Sequence, residues 1–140
     1  MKILLPVDGS DYTKHTLAYL AAHKELLPGE HEFTVFTVIE PFSPYATNFA
    51  KAVSMEDFLR DQAEHVLGPV RSFAQQQGWT VRTDYVPGSA VQAIVEKAES
   101  LKPDLIVMGT RGRTALGTLV LGSVANGVLG NCKIPVMLIR

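Results

Sequence analysis

Five short apolar runs rich in β-branched residues alternate with four stretches of helical spacing, and this alternation constrains the fold more than any other feature. The runs "KILLPV" (2–7), "EFTVFTVI" (32–39), "WTVRTDYV" (79–86), "DLIVMG" (104–109) and "PVMLI" (135–139) read as strands. The first, fourth and fifth are almost entirely apolar, which suits strands covered on both faces. The second and third alternate more and read as nearer an edge or a less covered face. Between the strands, one helix is expected from an N-cap at Ser10 to about Leu27, where Pro28-Gly29 stops it. A second spans about Ser54 to Gln77, with Met55, Leu59, Val66, Val70 and Phe73 at helical spacing and a kink or break expected at Pro69. A third opens at Ser89 and puts Val91, Ile94, Val95 and Ala98 on one face, and a fourth runs from Gly122-Ser123 to Gly130-Asn131. Strands and helices in strict alternation imply one α/β domain over residues 1–140, a doubly wound parallel sheet with right-handed crossovers and helices on both faces.

In such sheets ligands sit at the carboxyl ends of the strands, where the strand order reverses. Two connections leaving carboxyl ends are longer than geometry requires. Residues 40–53, "EPFSPYATNFAKAV", carry Phe42, Tyr45 and Phe49, which suit either a cover over a ligand or a dimer contact. The other, "GTRGRTALGTLVLGS" (109–123), holds four of the chain's 11 glycines. Loops of that length without their own structure are usually functional.

Two better-known phosphate loops fail here. The dinucleotide fingerprint needs G-x-G-x-x-G after the first strand, where this chain reads "DGSDYT", and the P-loop lysine is replaced by Thr118 after Gly117. What remains is G-x2-G-x9-G-S: Gly109, Gly112, Gly122 and Ser123. Gly109 at a strand end would let a ring or sugar lie against the backbone. Gly112 would permit positive φ and an anion nest, and Gly122-Ser123 would offer free helix N–H groups to a phosphate. Arg111 and Arg113 add positive charge within the same loop. The competing reading is a plain strand-to-helix loop, with Gly109 a tight exit, Gly122 a packing contact and Ser123 a cap.

Bulk composition excludes other classes. A formal net charge of −1 gives no basic surplus for nucleic acid or an anionic membrane, so any anion site must be local. The apolar runs are too short to span a bilayer, and "MKILLPVDGS" does not read as a signal peptide. The single cysteine, Cys132, can form neither an internal disulfide nor a Cys-based metal site, and it reads as a small buried residue. A cytoplasmic protein fits these features. Asp11 and His15 lack a third metal ligand, and His23, His31 and His65 read as surface residues.

These residues resemble the universal stress protein family, of the nucleotide-binding type. The likeness runs along the whole chain: "ILLPVDGS", "TVIEP", "GSAVQAIVEKA", "DLIVMGTRGRTALGTLVLGSVANGVL" and the closing "PVMLIR". It implies a five-stranded parallel sheet of order 3-2-1-4-5, an adenine nucleotide alpha hydrolase-like fold, ATP at the carboxyl edge and homodimerisation. Carried over position by position, Pro6 and Val7 would line the adenine side, and Val38 would offer backbone groups to the adenine edge. Asp8 would contact the ribose or a metal-bound water, although capping the turn into the first helix explains it equally well. Met108 and Gly109 would lie beneath the nucleoside. Arg111, Gly112 and Arg113 would wrap the phosphates, which Gly122, Ser123 and Val124 would hold at the helix start. One departure is Gly117-Thr118, where many relatives carry a basic residue; it points to weaker phosphate affinity or a shorter nucleotide, AMP or ADP.

Catalysis has little support in the residues. ATP hydrolysis needs a base and electrostatic help at the γ-phosphate, and no carboxylate or Gln is evident beside the loop, so turnover is expected to be slow and incidental. A phosphotransfer receiver would want paired acidic residues after strand one, and a flavodoxin a Ser/Thr-rich loop there; "VDGSD" supplies neither. An ATP-binding stress regulator, with Mg held through the nucleotide and Asp8, leads over a same-fold dimer that binds no nucleotide. The last strand would pair across the dimer that the resemblance implies, since an open apolar edge invites association; a shielded edge in a monomer is the competing reading.

Overall fold

The structure, a computed structural model, describes residues 1–40, 54–113 and 121–140. Phe42, Tyr45, Phe49, Gly117 and Thr118 therefore lie outside the described residues. The strands are β1 (Lys2–Pro6), β2 (Glu32–Ile39), β3 (Thr80–Pro87), β4 (Leu105–Gly109) and β5 (Val136–Ile139). The helices are α1 (Asp11–Ala22), α2 (Met55–Gln76), α3 (Ala90–Leu101) and α4 (Ser123–Asn131). All strand pairs are parallel, in the order β3-β2-β1-β4-β5.

The pleat divides the core into two layers. Ile3 and Leu5 of β1 and Leu105 and Val107 of β4 face α1 and α2, meeting Leu17, Leu20, Ala63, Leu67 and Val70. The intervening Leu4, Ile106 and Met108 face α3 and α4, meeting Ala93, Ile94, Ala98, Ala125 and Val128. Both faces of the central strands are thus sealed, which is why their sequences read as unbroken apolar runs.

Several expectations are corrected. The first helix ends at Ala22, because His23 leaves helical geometry at φ −118°, ψ 59°; a 3₁₀ turn over Lys24–Leu26 then follows. Pro69 does not break α2, which is continuous from Met55 to Gln76. β2 is an interior strand, and its threonines mislead the alternation: Thr37 is only 1% exposed because its β-branched body packs as an apolar group would. β5, expected to be covered on both faces, lies at an edge with Val136, Met137 and Leu138 half-buried. β3 forms the other edge, as its alternating pattern suggested. His31 is not a surface residue. Its Nε2 donates to the Leu27 carbonyl at 2.7 Å, its ring meets Phe33 edge-on, and its buried Nδ1 has no partner among the described residues.

Helix α4 sits tightly on α3. A Cβ at Gly127 would lie 2.6 Å from Val91 Cγ2. Gly127→Ala gains about 1 kcal/mol of helix propensity but incurs an overpacking cost of about 1–3 kcal/mol. The expected outcome in urea unfolding is a net loss of about 1 kcal/mol, turning into a gain when the same change is made in a Val91→Ala background.

Candidate functional site

β1 and β4 lie side by side, and the chain leaves their carboxyl ends toward opposite faces. β1 feeds α1, which packs in one layer, and β4 leads on to α4 in the other. The crevice between them is the switch point at which open α/β sheets bind ligands. Pro6, Val7, Asp8, Gly109, Arg111, Gly112, Arg113, Gly122 and Ser123 all belong to segments that meet there. The side chains of Val7, Val38 and Met108 are buried in the two core layers, so at those positions only the backbone is left to face the edge. Val124 is half-buried against the α3–α4 layer.

Asp8 is the most connected polar group at this edge. Its Oδ1 accepts the Ser10 N–H at 3.0 Å and the Thr13 hydroxyl at 2.9 Å. Its own N–H donates to Thr13 Oγ1 at 3.1 Å, and Thr13 is 7% exposed. Its Oδ2 accepts the Arg113 N–H at 2.9 Å, across 105 residues of chain. The turn-capping role foreseen for Asp8 is therefore present, and so is a contact to the distant loop. Burial opposes ionisation of this carboxyl, but hydrogen bonds from Ser10, Thr13 and Arg113 outweigh it and hold the pKa below the ordinary 3.8.

The glycines have protein-internal contacts. A Cβ at Gly112 would lie 2.5 Å from Asp8 Oδ2, one at Gly109 3.1 Å from Tyr12 Cβ, and one at Gly122 3.1 Å from the Thr110 carbonyl. Gly112 does not adopt positive φ; among the described glycines only Gly9, Gly29, Gly78 and Gly88 do. The expected positive-φ nest is thus corrected: Gly112 is required by its approach to Asp8, not by its dihedral angles.

Gly122 fixes the start of α4. Its N–H donates to the Thr110 carbonyl at 2.7 Å, and the Thr110 N–H donates to the Ile139 carbonyl at 2.9 Å. Gly122 is the N-cap and supplies no side-chain bond, while Asn126 is the first residue to bond back, to the Gly122 carbonyl. The N–H groups of Ser123, Val124 and Ala125 are accordingly left without intrahelical partners beside an exposed Ser123. Arg111 Nη1 donates to the Tyr12 hydroxyl at 3.4 Å, and Arg113 is exposed. Among the described residues neither guanidinium pairs with a carboxylate.

Three residues at this site were not singled out from the sequence: Tyr12, Thr13 and Thr110. "DGSDYT" does carry a signal for Thr13, since Asp-x-Ser marks an Asx-type turn and Ser-x-x-Thr spans a capped first turn. Nothing local announces that its hydroxyl also supports a carboxylate that reaches residue 113.

A pH dependence follows from the depressed Asp8 pKa. A carboxyl ionised more readily in the folded than in the unfolded state adds stability that is present above about pH 4 and is lost as pH falls through the folded value. Chemical unfolding at pH 7 and pH 3 is expected to show a larger acid loss for the native protein than for Asp8→Asn.

Comparison with known proteins identifies the family and the fold. The chain matches the family described as "Universal stress protein family" over residues 1–140. Universal stress protein MJ0531 of Methanocaldococcus jannaschii is 32% identical over 142 residues, covering 99% of this chain and 81% of that protein. The solved structure of MJ0577, a protein of the same organism, superposes with a TM-score of 0.79 at 26% identity, covering 99% of this chain and 94% of that one. More distant structures show the same fold. A universal stress protein in complex with cAMP has a TM-score of 0.70 at 22% identity, covering 100% of this chain and 97% of that one. An Arabidopsis thaliana family member with AMP bound has a TM-score of 0.69 at 15% identity, covering 99% of this chain and 90% of that one. The chain belongs to the universal stress protein family.

Proposed function

We propose that this chain binds an adenine nucleotide at the crevice between β1 and β4 and acts as a nucleotide-responsive regulator in a stress response. The observation that carries this reading is the pairing of two guanidiniums, Arg111 and Arg113, free of carboxylate partners among the described residues, with the open N-terminus of α4. An anion placed there would meet helix N–H groups and fixed positive charge together. The Val7 N–H bonds to the Phe36 carbonyl, and the Val38 peptide lies two residues further along β2, past the end of β1, where an adenine edge could meet it. The AMP and cAMP bound by the two neighbours support the same ligand class.

ATP, ADP and AMP all satisfy this chemistry, and Mg would enter through the phosphates with Asp8 nearby. Asp8 is a poor general base, because its carboxylate is stabilised by several donors and its pKa is depressed. Binding without efficient turnover is the reading the residues favour. A cytoplasmic location is proposed with it; among the described residues no helix is long and apolar enough to cross a membrane.

One observation favours the alternative, a same-fold dimer without nucleotide: each described motif glycine is already explained by a contact within the protein. Chromatography of small molecules released on denaturing the purified protein separates the two readings. Titration then locates the site. Ser123→Asp suits the helix dipole but repels phosphate, so it should leave folding intact and weaken ATP binding by about tenfold or more. Unchanged ATP affinity in a folded Ser123→Asp protein would remove α4 from the site.

We also propose that the chain pairs with a second copy through β5. The Pro135 and Ile139 carbonyls face β4, where they accept from Ile106 and Thr110, so the peptide groups of Val136 and Leu138 turn outward at the edge. Leu138→Pro removes an outward N–H without breaking the β4 ladder. Sedimentation is expected to show a dimer that this substitution converts to monomer.

A further inference from the structure

We propose that Asp8 and Thr13 form a clasp that holds the Gly112–Arg113 backbone in its ligand-ready position before any ligand arrives, which makes Thr13 a positioning residue for nucleotide affinity. The proposal rests on the nucleotide reading of the same crevice. Three observations carry it. Asp8 spans the gap between the β1 turn and the loop after β4, with Oδ2 accepting the Arg113 N–H at 2.9 Å. Both sides of Asp8 are gripped by Thr13, whose Oγ1 donates to Oδ1 at 2.9 Å and accepts the Asp8 N–H at 3.1 Å. Gly112 permits the approach, because a Cβ there would lie 2.5 Å from Oδ2.

The clasp joins segments that secondary structure leaves separate. Thr110 is held by the Ile139 carbonyl and by Gly122, but among the described residues the side-chain hydrogen bonds that tie residues 111–113 to the rest of the fold come from the β1–α1 turn and the start of α1: the Asp8–Arg113 bond and the weaker Arg111–Tyr12 bond. A backbone N–H bound to a charged acceptor is among the stronger hydrogen bonds available, so this one restrains the chain where the loop begins. Holding a binding segment in place before the ligand arrives removes an ordering cost from binding. Releasing it lowers the competent fraction and raises the apparent Kd in inverse proportion. Thr13 is too buried to touch a ligand, so any effect it has on affinity must pass through Asp8.

Two variants open the clasp without a large change of shape. Asp8→Asn keeps a carbonyl oxygen for Ser10 and Thr13 but turns an NH2 toward the Arg113 N–H, donor against donor. Thr13→Val keeps the side-chain volume and removes the hydroxyl. The primary readout is hydrogen exchange of the Arg113 amide, followed by NMR on the full chain without nucleotide. Exchange is expected to rise about tenfold in Asp8→Asn and less in Thr13→Val.

The second readout is affinity for AMP and for ATP. Thr13→Val should weaken both by one common factor of about three to ten, since the loss is in the competent fraction and does not scale with phosphate number. Unchanged Arg113 exchange in both variants overturns the clasp. Faster exchange with unchanged nucleotide affinity, or a loss graded from AMP to ATP, overturns the positioning role. If the native protein binds neither nucleotide, the nucleotide reading fails and the positioning role fails with it, while the exchange measurement still decides whether the clasp exists.

Discussion

The central strands β1 and β4 must be buried on both faces, and the rest of the structure follows from that requirement. Leu4, Leu5, Ile106 and Val107 are completely buried, which takes one layer of helices above the sheet and another below it. Right-handed crossovers can supply both layers only if the chain winds outward from the middle in two directions. The strand order β3-β2-β1-β4-β5 is that solution. Its consequence at the carboxyl edge is a crevice where the two halves diverge, because α1 and α4 start there on opposite faces. The candidate site is thus a by-product of how the core is sealed.

Within that crevice the chemistry is a balance between one carboxylate and several groups that favour anions. Asp8 draws donors from Ser10, Thr13 and Arg113, and these make it a firm anion. Around it stand Arg111, Arg113 and the open first turn of α4. A phosphate chain entering this rim would be attracted by the outer groups and repelled by Asp8, unless a cation or a hydroxyl donor sits between them. The arrangement suits a ligand that presents both anionic and hydroxyl groups, as a nucleotide does. It suits a bare polyanion less well.

The glycines show how far such a site can be read in advance. Their clustering between a buried strand and a helix marks the segment as special, and the spacing distinguishes it from the dinucleotide fingerprint and the P-loop. Their individual reasons differ from the expectation. Gly112 was expected to permit positive φ, yet it is needed because Asp8 Oδ2 occupies the place a Cβ would take. The Asp8 carboxylate that excludes the side chain also holds the loop.

The sequence by itself determined the number and type of elements, the two-faced burial of β1 and β4 and the glycine-rich segment between β4 and α4. It could do so because those properties rest on periodicity, capping and breaker residues, all of which act over a few neighbouring positions. Where local pattern and environment diverged, it misled. β2 looked less covered and buries Thr37, β5 looked fully covered and is an edge, and α2 continues past Pro69 without a break. Only the tertiary structure decided that Asp8 reaches Arg113, that Thr13 steadies it, and that Gly122 is tied to Thr110. The Asp8–Arg113 contact joins segments brought together when β1 and β4 align in one sheet, while the other two close single connections. A partner 105 residues away is chosen by strand order and register, which local pattern does not encode.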